Sequence, residues 1–530
     1  MKQLQAQASG VRSKRFEKFG TLLMIVLTWS GVASSQQWIA IFTPPQFNVG
    51  IALQLTDGSI MVQQNKTSNW WKLTPDKNGF YRSGTWSELA SFPASMNYAP
   101  LFFASAVLPD GKVIVEGGEY NNGVKDWTNL GAIYDPVANT WTQVNAPIDP
   151  LTGSPWPRIG DAPSVVLPDG TFMLGNCCDN PPQAALLDEA TLTWTVLNST
   201  SGFQKKFDRN NEEGWTLLPN GNVLTVDTYT GVAYNATGMR SQTYNSSTGT
   251  WTGAGSTQVQ LWDSKAACGG PTGATHEIGP AVLRPDGTVF ATGSNTCPST
   301  AGHTSIYDSN TGTWTAGLDV PFPNDAADAP AAILPDGNVL VDTNPGWGNS
   351  PSTLYEYAYD GSGWVSIPQP TGLTGNTEGA RMLATADGTI LLAHVNTNQI
   401  WFYLPAGTYQ PAWQPTITTC PTSVTVGGTY SISGTQFNGL SQGAAYGDDA
   451  QSATNYPIVR IRNNGTLHYF FTRSHNFSTM GVATGSLNTS TQYDVLPGTE
   501  TGASTLEVIA NGIPSAPCNI TVNGQGEAEQ

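Results

Sequence analysis

One short signature recurs seven times in this chain. An apolar run meets a tight turn built on Asp-Gly or Asn-Gly, and a second apolar run follows. The turns fall at Asp57-Gly58, Asp110-Gly111, Asp169-Gly170, Asn220-Gly221, Asp286-Gly287, Asp336-Gly337 and Asp387-Gly388. Such pairs between β-rich runs mark hairpins, because glycine enters the left-handed region without a Cβ clash. Six repeats add a tryptophan after a second turn: Trp86, Trp141, Trp194, Trp251, Trp314 and Trp364. The seventh is irregular and reaches Trp413. Each unit reads as a four-stranded antiparallel blade. Seven blades in a ring leave few exposed sheet edges. A series of separate sandwiches would not repeat one hairpin seven times.

The chain is therefore expected to be all-β, a seven-bladed propeller over residues 36–414. Most turns are about 50 residues apart, the kelch period. The segment Gln37–Phe42 is expected to add a strand to the last blade and close the ring. After Trp413 the pattern changes to short alternating strands, such as Ser423–Val426, Val459–Ile461 and Thr505–Ile509. Residues 415–530 are read as an immunoglobulin-like sandwich bracketed by Cys420 and Cys518.

The N-terminus reads as an export signal over residues 1–35. Lys14, Arg15 and Lys18 precede an apolar run from about Thr21 to Val32, and the small residues Ala33, Ser34 and Ser35 follow. That run is short for a membrane span. The expected location is extracellular or in the cell envelope, with no membrane attachment once the signal is removed. Export makes the six cysteines disulfide candidates. Their positions favour Cys420 with Cys518 and Cys268 with Cys297. The adjacent Cys177 and Cys178 are left as a vicinal disulfide, or else as separately paired or free thiols. The net charge of −17 excludes nucleic acid as a main partner, because little basic surface is left for phosphates. The oligomeric state stays open.

Propeller, sandwich and the run Tyr456-Pro457-Ile458-Val459-Arg460 with Thr472-Arg473-Ser474-His475 resemble the galactose oxidase and glyoxal oxidase family. The resemblance implies one copper held by two His and two Tyr, one Tyr being cross-linked to a Cys and covered by a Trp. Counted from each blade's turn, the cross-link Cys falls at Phe102, its Tyr at Asp161, the Trp at Cys178 and a Tyr-His pair at Glu378-Gly379. Only the C-terminal His finds a match, at His475. The radical copper site is therefore expected to be absent.

The same blade positions carry acids instead. Asp161, Glu212, Asp328 and Glu378 stand eight or nine residues before their turns, and His276-Glu277 stands nine or ten before its own. Blades one and two have Val49 and Phe102 there. Five consecutive blades thus aim a carboxylate at one mouth. Glu213, Asp227, Tyr229, Trp347, Arg381 and His475 are expected around it. Glu212-Glu213-Gly214-Trp215 is the most acidic blade start and the first catalytic candidate.

Four readings compete for these residues. The plainest is a solvated rim of strand caps, although converging like charges call for neutralisation. A second is a metal site, where carboxylates suit calcium and His276, Glu277 and His475 suit copper or another divalent cation. A third is acid–base catalysis by Asp161, Glu212, Glu213, Asp328 and Glu378, since crowded carboxyls raise one another's pKa. A fourth is non-catalytic sugar binding, with Arg381, Trp347, Tyr229 and Asp227 as contacts. The expected function is a secreted protein that binds or processes extracellular carbohydrate or another polyol at the acidic mouth. The alternatives are a copper alcohol or aldehyde oxidase with a rearranged site, and an adhesive or structural surface protein.

Overall fold

All seven glycine turns adopt one geometry. In the first, the Gly58 amide donates to the Leu55 carbonyl, and Leu55 donates to the Ser59 carbonyl. The same glycine bond recurs at Gly111, Gly170, Gly221, Gly287, Gly337 and Gly388. Every one of these glycines has a positive φ, between 76° and 92°. The Asp or Asn at each turn accepts a bond from the amide two residues on, as Asp57 does from Ser59 at 2.9 Å and Asn220 from Asn222 at 3.0 Å. This is a type I turn with a glycine bulge, which matches the right-handed twist of the flanking strands.

The computed structural model describes residues 37–177, 183–197, 206–228, 239–263, 276–295, 300–346, 349–443 and 453–525. The expected signal and Cys178, Tyr229, Cys268, Cys297 and Trp347 lie outside them. Six blades are four-stranded antiparallel sheets built in simple chain order. Their innermost strands are Val49–Gln54, Ala104–Val107, Ser164–Val166, Thr216–Leu217, Ala281–Leu283 and Ala331–Ile333. The seventh blade takes Ala380–Ala384, Ile390–His394 and Ile400–Leu404 from the chain's later part. Its fourth strand is Gln37–Ala40, paired antiparallel with Ile400–Leu404. The ring is closed as the sequence suggested.

The outer tryptophans stitch each blade to the one before. Trp86, Trp141, Trp194 and Trp364 donate through Nε1 to the carbonyls of Thr43, Ala90, Asn145 and Leu318. Each acceptor follows the outer strand of the preceding blade. In blade seven that place belongs to Trp38, not to Trp413. Trp38 donates to the Pro368 carbonyl and packs on Tyr403 at 4.8 Å. Trp413 instead packs edge-on against Tyr359.

The C-terminal part is a two-sheet β-sandwich. One sheet joins Thr416–Thr419, Thr429–Thr435, Thr489–Asp494 and Arg473–His475. The other is built around Gly502–Ala510, paired with Ile458–Asn463 and Cys518–Asn523. Cys420 and Cys518 are joined, as their positions suggested. Cys177 is also disulfide-bonded. From Ser35 to Gln530 the chain forms one compact unit. The sandwich reaches the propeller at the turn end of its axis. Gln442 exchanges backbone bonds with Leu283 of blade five, and its Oε1 accepts from the Leu217 amide of blade four at 2.6 Å. The Tyr456 hydroxyl donates to the Gln54 carbonyl of blade one at 2.5 Å. A cavity of about 50 Å³ remains between these residues and the strands of blades one, two, three and seven.

Candidate functional site

The mouth lies at the other end of the innermost strands, just before each begins. The backbone there turns sharply. Phe102, Glu212, His276 and Asp328 have φ values of 58°, 56°, 68° and 46°. Such values are uncommon for residues with a Cβ and concentrate at functional positions. Here they place side chains toward the axis that an extended strand start would send into the sheet.

Three carboxylates converge here. Glu212, Glu277 and Asp328, from blades four, five and six, each present an oxygen, and these oxygens lie within 4.8 Å of one another. Glu277 and Asp328 are each 9% exposed. Burial pushes the Glu277 carboxyl well above its ordinary range, and the charges of Asp328 and Glu212 push it further. Backbone bonds join blades five and six here. The Asp328 amide donates to the Ile278 carbonyl, and the Asp263 amide donates to the Glu277 carbonyl. Asp263 returns a bond through Oδ1, which accepts from the His276 amide.

His276 borders this triad. Its ring stacks on Trp262 at 4.9 Å, and its Nδ1 lies 2.7 Å from the Thr228 carbonyl. Such a bond fixes the ring's tautomer and leaves Nε2 as the atom for any other contact.

The remaining expected residues fall in three other places. Asp161 and Glu378 sit across the mouth, where their charges act on the Tyr120 hydroxyl together with Glu119 and Lys125. Arg381 is 3% exposed, spends Nη1 on the carbonyls of Glu378 and Ala380, and lies over the Phe102 ring at 5.5 Å. It braces the start of blade seven rather than standing open at the mouth. Glu213 and Asp227 do not line the mouth. Both are fully buried within blade four, where Lys206 Nζ stands 2.6 Å from Glu213 and 3.8 Å from Asp227. Burial alone would lower the Lys206 pKa, but the charges of Glu213, Asp227 and Asp208 outweigh it and hold the amine protonated.

His475 is placed at the wrong end for an axial ligand. Its Nε2 lies 3.2 Å from Asp494 of the sandwich. The Ser474 amide bonds the Thr56 carbonyl, and Phe477 bonds the Pro109 carbonyl. These are turn-end residues, roughly 20 Å of strand from the mouth. A sandwich residue that forms a β-bridge to an innermost strand is Gln442, opposite Leu283, which sequence reading missed. Its neighbourhood has no hydrophobic alternation to announce it.

No family model matches the chain. The kelch-like protein terF of Aspergillus terreus is 30% identical over 140 residues, 26% of this chain. The matched stretch spans 25% of that relative's length. Among solved structures, a fungal alcohol oxidase of the AA5 family, in complex with copper, aligns with 92% of this chain and 98% of its own. The TM-score is 0.48 at 16% identity. Seven blades of one hairpin signature, a relative named for kelch repeats and a sandwich behind the ring define the fold. The fold is a seven-bladed kelch-type propeller followed by a β-sandwich.

The mouth offers carboxylate oxygens. His475 faces Asp494 at the opposite end. Among the described residues, the metal-competent group at the mouth is Glu212, Glu277 and Asp328, a hard oxygen set.

Proposed function

We propose that this galactose-oxidase-like kelch chain is an exported protein that binds or processes carbohydrate, or another polyol, at its acidic mouth. It does so without Cys–Tyr radical copper chemistry. The convergence of Glu212, Glu277 and Asp328 from three successive blades carries the reading. Three carboxylates this close favour two states. They share a proton, with Glu277 neutral, or they hold a hard divalent cation. Calcium wants six to eight oxygens. The triad supplies three side chains, and vicinal hydroxyls of a sugar complete the set. In the proton-sharing state, a neutral Glu277 beside two carboxylates is a general acid with acceptors for sugar hydroxyls. The disulfide between Cys420 and Cys518 supports an oxidising compartment.

The test joins metal analysis of the purified protein to glycan-array binding and a peroxide assay on sugars, alcohols and aldehydes. Calcium-dependent glycan binding that disappears in Glu277→Gln and Asp328→Asn is the expected result. Tightly held copper with peroxide formation would overturn the reading and favour an oxidase with a rearranged site. Glycan binding unaffected by either substitution would reduce the mouth to a solvated rim.

A further inference from the structure

Below the mouth, blade four contains a second carboxylate cluster that already holds a cation. Asp208, Glu213 and Asp227 each offer an oxygen within 4.8 Å of the others. All three are buried, with 7%, 0% and 0% exposure. The Lys206 ammonium sits among them, itself 5% exposed. Nζ donates to Glu213 Oε1 at 2.6 Å and to the carbonyls of Arg209 and Asp208 at 2.9 and 3.3 Å. Asp227 Oδ1 stands at 3.8 Å. The carboxylates are further held from the strands behind. Thr225 Oγ1 donates to Glu213 Oε2 at 2.9 Å, and Gln242 Nε2 donates to Asp227 Oδ1 at 2.6 Å. Arg240 adds a second cation 3.4 Å from Asp227 Oδ2.

Glu213 is the residue after Glu212. Its buried side chain is anchored inside the blade, while Glu212 turns through a positive φ toward the mouth. The preceding residue is pinned too. Thr228 Oγ1 donates to the Asn211 carbonyl, and Asn211 Nδ2 reaches the sulfur of Cys177 at 3.5 Å. A left-handed conformation at a glutamate persists only when its surroundings over-determine it. Lys206 closes the chain into a small ring, from its own backbone through Nζ to Glu213, with Glu212 at the edge of that ring.

We infer that Lys206 is the positioning residue of the mouth, its ammonium acting as the resident cation of a closed carboxylate cage that fixes, through Glu213, where Glu212 points. This rests on the reading of the triad as the binding site. A cage of this kind normally receives its cation from solution. Here the cation is covalently tethered, so Glu212 is held in place without a dissolved ion in the cage. Supporting residues of this kind commonly control the affinity of the ligands they orient.

The test uses the full chain with three forms, wild type, Lys206→Ala and Lys206→Met. Calcium titration reports the mouth, and amide hydrogen exchange over residues 206–216 reports the cage. Calcium affinity is expected to fall roughly tenfold in both variants, with faster exchange at Asn211, Glu212 and Glu213. Methylammonium fits the space vacated in Lys206→Ala and should restore affinity and protection there. It should do neither in Lys206→Met, whose side chain fills that space. A variant that folds only with methylammonium also supports the cage. Loss of stability with unchanged calcium affinity makes Lys206 a purely structural residue and overturns the inference, as does failure of methylammonium to rescue Lys206→Ala. If the wild type takes up no calcium, the cation-bound state of the mouth is ruled out. The exchange data and their rescue then decide the role of Lys206 by themselves.

Discussion

Trp38 Nε1 donates to the carbonyl of Pro368 at 2.8 Å, across 330 positions of the chain. The same bond joins Trp86, Trp141, Trp194 and Trp364 to the blade before them. In Trp38 it joins the start of the propeller to the end of blade six. It is the tryptophan stitch of the closing blade, supplied by a strand that arrives from the opposite terminus.

Truncating this stitch should loosen the whole ring. Trp38→Ala removes the bond, the packing on Tyr403 and the anchor of the Gln37–Ala40 strand. A loss of about 2–3 kcal/mol is expected, below the full cost of a buried tryptophan because the ring is partly exposed. The urea midpoint checks it. Trp413 is buried against Tyr359 but closes nothing, so Trp413→Ala should cost about 3–5 kcal/mol through lost packing alone.

Glu116 fills space that Gly131 leaves open. The two are partners across the ladder of blade two, and a Cβ on residue 131 would stand 2.0 Å from Glu116 Oε2. Gly131→Ala should therefore cost about 1–3 kcal/mol. Shortening the partner in Glu116→Ala/Gly131→Ala should recover part of that cost. A double-mutant cycle with additive effects would show that the two residues do not compete for space.

The same carboxyl makes the fold sensitive to alkali. Glu116 is fully buried, its oxygens have no hydrogen-bond partner among the described residues, and burial pushes its pKa well above the usual carboxylate range. The folded pKa exceeds the unfolded one. Its contribution is therefore intact below the unfolded pKa and is lost, at about 1.4 kcal/mol per pH unit, as pH rises from the unfolded to the folded value, above which nothing more is lost. Glu116→Gln should flatten the alkaline limb of stability against pH. An unchanged limb in that variant would mean that Glu116 is not the titrating group.

Calcium should invert the pH response of the mouth. Without it, Glu277 is raised by burial and by the charges of Asp328 and Glu212, so its ionisation destabilises the fold as pH rises. A bound divalent cation favours the ionised triad. The thermal midpoint should therefore rise with calcium, and more so at higher pH. Glu277→Gln should weaken both the metal-free pH dependence and the calcium response. A midpoint indifferent to calcium across this range rules out the cation-bound state.

Removing the sandwich disulfide should be costly. Cys420 and Cys518 close a loop with a sequence separation of 98. Replacing both by serine is expected to cost about 4 kcal/mol through the freedom regained by the unfolded chain. Denaturant unfolding followed by a near-ultraviolet signal from the sandwich tyrosines Tyr430 and Tyr493 would report it.

The seven Asp-Gly and Asn-Gly turns were readable because their determinants span four residues. Glycine takes the positive φ, the acid bonds the amide two positions on, and neither needs a partner from elsewhere. The tryptophans were readable for a related reason, since each lies directly across the ladder from the third strand of its own blade, as Trp141 does from Tyr134. Blade count, ring closure by Gln37–Ala40 and the Cys420–Cys518 bridge were within reach of the sequence alone.

The site was not. Spacing placed Glu212 and Glu213 at one blade start as equals, but strand alternation and a positive φ send one to the mouth and the other to Lys206. Asp161 and Glu378 share the position of Asp328, yet ring geometry puts them across the axis beside Tyr120. His475 carries a familiar motif, but the sandwich docks so that it meets Asp494 at the turn end, and Gln442 takes the axial contact. Local bonding rules written into short segments decided the blades. Which carboxylates meet depended on how seven such blades close into a ring, a distance between residues far apart in the chain that only tertiary packing sets.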